Sequence, residues 1–179
     1  SYRDVVLNES ARSVRLERAL VLDLGAVAKG LAIDMAVQEL RPLANFVVDA
    51  GGDVYCGGHN ATEQPWTVGI RHPRESNALL TRVTITDAAL CTSGDYERRV
   101  ADDTAGEHHM LDPNTGASPR DVISASVIAP TAMVADALGT AAFVLGCIDG
   151  VALLERHALR ACLVDAQLVR HTTPDWIDV

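Results

Sequence analysis

The pattern of apolar and polar positions along the chain predicts many short strands and few helices. Segment 13–18, SVRLER, alternates apolar and polar side chains with the period of a short strand. Segment 20–24 follows as a second strand, and its nearly continuous apolar run predicts fuller burial. In LAIDMAVQEL (31–40), Leu31, Met35 and Leu40 lie close to one helical stripe, which Arg41-Pro42 ends. NFVVDAGGDVYCGG (45–58) reads as strand, glycine turn, strand, and WTVGI, LLTRVTIT and AALCTS are further strands. SASVIAP feeds a helix over 130–146, PTAMVADALGTAAFVLG, stopped by Gly146. VALLERHA continues as a helix, and RACLVDAQLVRHTT closes as a hairpin around Asp165-Ala166. Hairpin-ordered strands around two long helices predict an α+β fold rather than a regular βαβ repeat.

Length and charge narrow the functional classes. A chain of 179 residues, 48% hydrophobic and 22% charged, can bury the core of one domain. Aromatic residues make up only 4%, so that core must be aliphatic. The net charge of −9 argues against nucleic acid as a partner, because a phosphate-tracking surface needs a basic excess. A single phosphate ligand stays compatible, since a bound cation reverses the local sign. Cys56, Cys91, Cys147 and Cys162 are far apart, without C-x-x-C spacing, and read as scattered buried thiols rather than a zinc site or disulfide scaffold. No apolar run approaches the ~20 residues of a membrane span.

The candidate chemistry is concentrated in a few stretches. Inside the apolar helix, Asp136 and Thr140 are four residues apart and share one face. That spacing suits a solvated stripe, an Asp near a helix start, or two oxygen ligands aimed at one point. LDLGAVAKG has the strand, glycine turn and helix start in which free backbone N–H groups can hold an anion. It lacks the Lys-Ser/Thr of a phosphate-binding P-loop, because Leu31 and Ala32 follow Gly30, so a nucleoside-triphosphatase reading fails. In GEHHMLDPNTG, adjacent His108 and His109 must point to different sides of an extended segment, and Asp112-Pro113-Asn114-Thr115-Gly116 is a strong turn. CTSGDYER and DAGGDV have the small, polar composition of either plain turns or loops that approach a ligand closely.

In their order, LDLGAVAKGLAID, NFVVDAGGDVYCGG, WTVGIRHP, CTSGDYER, HHMLDPNTG and SVIAPTAMVADALGTAAFVLG closely resemble the flavin transferase family known as ApbE. The resemblance runs from about residue 2 to the C-terminal hairpin. It implies a T-fold-like α+β domain, mostly antiparallel strands packed with two or three helices. It also implies FAD and Mg²⁺ as cofactors, and transfer of FMN to a Thr or Ser of an acceptor protein with release of AMP. The alternatives are an FAD pyrophosphatase giving FMN and AMP, or an inactive flavin-binding fragment.

Residue by residue, the resemblance makes Asp136 and Thr140 metal ligands, with the Ala26 backbone carbonyl as a third. Three hard oxygens suit Mg²⁺, which keeps other positions for water and phosphate. Asp23 and Lys29 map to flavin-contacting positions around the first turn, and Leu111 lies near another. His109 takes the place of the catalytic histidine. Ser93, Gly94 and Asp95, with Gly51 and Gly52, map to residues that shape the site. Family members carry a long segment before the YRDV region that supplies part of the FAD pocket. Residues 1–179 are therefore expected to be the C-terminal part of a single ApbE-like domain. Strand edges would then be left for a complementing N-terminal segment or for self-association. Relatives are often exported lipoproteins, but the chain itself indicates no cellular location.

Overall fold

A computed structural model describes residues 2–96 and 108–179. Residues 97 and 98 of CTSGDYER and 106 and 107 of GEHHMLDPNTG lie outside the described residues. The chain starts with a hairpin, β1 (Val5–Asn8) and β2 (Ser13–Leu16), and reaches the first helix, α1 (Ala28–Leu40). Next come β3 (Phe46–Ala50), β4 (Asp53–Gly57), β5 (Trp66–Arg71), β6 (Leu79–Ile85) and β7 (Ala88–Gly94). After β8 (Val122–Ala129), helices α2 (Ala132–Leu145) and α3 (Cys147–Arg156) lead to the closing hairpin, β9 (Arg160–Asp165) and β10 (Arg170–Thr172). The result is the α+β arrangement expected from the pattern, with a third helix where VALLERHA continues the second.

One antiparallel sheet organises the molecule, in the order β10-β9-β8-β7-β4-β3. Strand β8 runs through its middle and is buried at every position, so it reads as continuously apolar and small rather than alternating. On one face, Ala89, Cys91, Ala125, Val127 and Ala129 pack beneath the helices with Ile33, Ala135 and Phe143. On the other, Leu90, Ile128, Cys162 and Val164 meet Ile70, Val83 and Ile85 of the separate β5–β6 ribbon. The register shift between Val122 and Ser124 reverses the alternation along β8, so that Val122 joins Ala125 and Val127 in one core while Ile123 joins Ile128 in the other. All four cysteines are buried free thiols, as their scattered spacing predicted.

Segment 20–24 does not form the buried strand that its apolar run predicts. It has no ladder partner among the described residues, and Val21, Leu22 and Leu24 are exposed at 95%, 49% and 62%. The strand partner of Ser13–Leu16 is the preceding β1, which leaves 20–24 to run on as an irregular strap into α1. An apolar run becomes a buried strand only where a sheet edge and a covering layer receive it.

Helices α1 and α2 are joined at their N-termini by an exchange of caps. Val27, the residue before α1, offers no side-chain cap. The Gly30 N–H, one of the donors left over in the first helical turn, instead donates to Asp136 Oδ2 at 3.0 Å. In return, Asp34 of α1 accepts from the Ala132 and Met133 N–H groups at 2.7 and 3.0 Å. Thr131 adds its own hydroxyl to the Val134 N–H. The helices approach so closely that a Cβ on Gly30 would meet the Ala132 carbonyl oxygen at 2.5 Å. Glycine is required there by the approach of two backbones.

Candidate functional site

The N-terminal turn of α1, the end of β7, the Asp136–Thr140 face of α2 and the segment after His108 surround a cleft of ≈ 390 Å³. Asp23, Ala26, Lys29, Ser93, Gly94, His109, Leu111, Asp136 and Thr140 all line it. These residues were singled out in the sequence and come from four separate stretches; Asp95, Gly51 and Gly52, also singled out, stand outside the cleft. Asp95 does not line the cleft and instead forms a two-point ion pair with Arg74, both contacts at 2.7 Å. Gly51 and Gly52, at φ +67° and +97°, turn the β3–β4 hairpin. They line a second cleft of ≈ 340 Å³ beside the β5–β6 ribbon. Thr92 lines both clefts.

Each wall follows from local structure. Asp23 Oδ1 accepts the Gly25 N–H at 2.7 Å, an Asx turn that shapes the approach to Ala26. His108 and His109 separate as an extended segment requires. His108 is buried, with its ring edge-on to Phe143 and Nε2 at 3.0 Å from the Pro119 carbonyl, whereas His109 is exposed at the cleft. Beyond them, Asp112 accepts from the Asn114 N–H at 2.8 Å, and its carbonyl accepts from the Gly116 N–H at 2.7 Å, which sets the expected turn. The rigid turn fixes where Leu111 and His109 stand.

The floor carries the charge. Asp136 is 7% exposed, and burial, its largest influence, pushes its carboxyl above the ordinary range. The Gly30 hydrogen bond and the nearby Lys29 ammonium oppose that shift, while Asp53 adds to it. Oδ2 is occupied by Gly30, and no hydrogen bond to Oδ1 is found among the described residues. Thr140 lies one turn further along α2, its hydroxyl 3.2 Å from that of Ser93. Lys29 Nζ stands 2.7 Å from Asp53 Oδ2. Asp53, only 2% exposed, was read in the sequence as a hairpin flank. Nothing local marks it, because its burial arises where β4, β7 and α1 meet. Cys91 lies in the same neighbourhood, its thiol pushed up first by burial and then by Asp53.

These oxygens suit a hard divalent cation. Among the described residues no three His, Cys, Asp or Glu side chains gather as a metal centre. A cation here would therefore rely on the Asp136 carboxylate, the Thr140 hydroxyl, a backbone carbonyl such as that of Ala26, and ligand or water oxygens. That is a donor set for Mg²⁺ rather than for zinc. Burial disfavours the charge of such a carboxylate, and an incoming cation would offset that cost.

The model of the ApbE family matches residues 1–163. An FAD:protein FMN transferase of Treponema pallidum is 41% identical over 157 residues, covering 79% of this chain and 43% of that protein. The FAD:protein FMN transferase of Salmonella typhimurium is 34% identical over 149 residues, covering 81% of this chain and 43% of its own length. Among solved structures, an ApbE protein from Thermotoga maritima superposes with a TM-score of 0.87 at 33% identity, covering 97% of this chain and 58% of that one. The flavin transferase ApbE of Vibrio cholerae reaches 0.82 at 24% identity, covers 98% of this chain and 58% of its own, and supports the fold alone. The chain spans about half the length of these relatives.

Proposed function

Because the chain belongs to the ApbE family, we propose that the protein carrying it transfers FMN from FAD to a Thr or Ser hydroxyl of an acceptor protein, releasing AMP. The observation that carries this reading is the convergence of Asp23, Ala26, Lys29, Ser93, Gly94, His109, Leu111, Asp136 and Thr140 on one cleft. The relatives named FAD:protein FMN transferase support it from outside the chain.

In this reading the acceptor oxygen attacks the phosphorus on the FMN side of the FAD pyrophosphate. A new P–O bond forms, the bond to the bridging oxygen breaks, and AMP leaves with the electron pair. His109, exposed at the cleft, takes the hydroxyl proton, a task suited to an imidazole because that group ordinarily titrates near neutral pH. Asp136, Thr140 and the Ala26 carbonyl would hold Mg²⁺, which supplies charge neutralisation on the phosphates. Lys29 adds a cation to the same floor, and Asp23, Ser93, Gly94 and Leu111 shape the space around the flavin phosphate. Asp95 stands back from the cleft and fixes Arg74.

The test incubates the whole protein that carries this chain with FAD, Mg²⁺ and a Thr-containing acceptor peptide, and follows peptide mass. Addition of FMN with stoichiometric AMP is expected. Steady AMP release without a peptide adduct marks an FAD pyrophosphatase, in which water replaces the acceptor hydroxyl. Neither product leaves a flavin-binding module.

A further inference from the structure

Lys29 is the sole lysine of a sequence with 15 Lys and Arg residues. It occupies the second position of α1, where the positive end of the helix dipole disfavours a cation. The ammonium is placed there by Asp53. Asp53 Oδ2 stands 2.7 Å from Lys29 Nζ, and Oδ1 accepts the Thr92 N–H at 2.9 Å. The carboxylate is thus pinned to the backbone of β7, on the strand end that lines the proposed flavin cleft. Its side chain is 3% exposed, whereas that of Lys29 is 34% exposed, so the pair has a buried end and a wet end.

We propose that Asp53 is a positioning residue, which seats the Lys29 ammonium on the cleft floor facing the substrate's diphosphate. The inference rests on the flavin-transfer reading above. It adds to that reading a buried residue that touches no substrate and acts through Lys29. The buried carboxylate directs the cation, and the cation directs the anion.

The experiment compares wild type, Asp53→Asn, Lys29→Met and the double variant of the whole protein, with FAD dissociation constants read from flavin fluorescence. Asn keeps an acceptor for the Thr92 N–H while losing the charge. Each single variant is expected to weaken FAD binding about tenfold, the size of one charged hydrogen bond. The double variant should bind no more weakly than Lys29→Met. A second readout needs no flavin: acylation of the Lys29 amine by an activated ester, followed on its peptide by mass. Releasing the ion pair in Asp53→Asn should speed that labelling. Wild-type FAD affinity and wild-type labelling in Asp53→Asn would overturn the proposal. So would a full further loss of affinity when Asp53→Asn is added to Lys29→Met. Absence of FAD binding by wild type, with faster labelling in Asp53→Asn, would retain the anchoring of Lys29 and reject the flavin reading alone. Should Asp53→Asn fail to fold, Lys29→Met, altered at a half-exposed side chain, still decides: unchanged FAD affinity rejects the proposal.

Discussion

Helix α2 and the strap at 20–24 are both strongly apolar in sequence, yet they end in opposite environments. Phe143, Ala135 and Ala142 of α2 are 0% exposed, while Val21 of the strap is 95% exposed. The helix lies on β7 and β8 and exchanges caps with α1, whereas the strap pairs with no strand among the described residues. Burial therefore follows from the presence of a receiving layer, and apolar composition only makes burial favourable when one exists. The cleft is built where these two regions meet. Asp136 and Thr140 come from the helix, Asp23 from the strap, and Ala26 from the turn that follows it.

The contrast is broken most severely at its buried end. Phe143→Ala removes a ring that fills the space between α2, the sheet and His108, and should cost about 3–5 kcal/mol. Val21→Ala should stay within about 0.5 kcal/mol of wild type. Urea unfolding of the two variants side by side measures the difference, and equal costs would mean that the strap is covered in solution.

A second variant separates the two uses of Asp136. Asp136→Asn retains an oxygen for the Gly30 N–H, so the fold should survive. FMN transfer should fall by about a hundredfold or more if the carboxylate holds a cation. Thr140→Val deletes only a hydroxyl and should cost less, about tenfold. Added Mg²⁺ should raise the melting temperature of wild type and leave that of Asp136→Asn unmoved. Undiminished turnover in Asp136→Asn would reduce the residue to a helix cap.

The smallest effect sharpens the comparison with another exposed segment, one that does have anchors. Arg170 first, then the Thr81 hydroxyl and the Trp176 indole, hold the Asp178 carboxyl down to about 2. A lowered carboxyl stabilises the fold above its ordinary titration near ~4, and the contribution disappears as pH falls through about 2. Because the Asp178 side chain is 44% exposed, screening should keep the contribution under about 1 kcal/mol. The melting-temperature gap between wild type and Asp178→Asn should accordingly be largest above pH ~4 and close in more acidic buffer. A gap that persists there would assign the tail's attachment to packing of Trp176 instead.

Much of this architecture was legible because the signals were local. Gly146 ends α2, Arg41-Pro42 ends α1, and the Asp165 turn closes β9 onto β10, each by chemistry within a few residues of the boundary. The cleft residues were legible through the order of several motifs, since no single stretch specifies a pocket made from four. Asp53 and Asp95 mark what local reading cannot reach. Asp53 gains its partner from α1 and its burial from β7, and Asp95 finds Arg74 21 residues away. The strap failed for the same reason in reverse: its apolar run was visible, but the missing layer above it was not.

The exchange of caps between α1 and α2 also constrains how the chain acquires its structure. Asp34 serves amides 98 and 99 residues downstream, and Asp136 serves one 106 residues upstream. Neither helix start is satisfied until both helices have docked, and such distant closure is slow because chain entropy is lost before any contact rewards it. Isolated α1, with no cap of its own and a glycine in its first turn, is a poor nucleus. Folding should therefore begin in the local hairpins and finish with the two helices joining. The carboxylate at the cleft floor comes into place only in that final event, so under the proposed reading a half-folded chain has no hold on a cation.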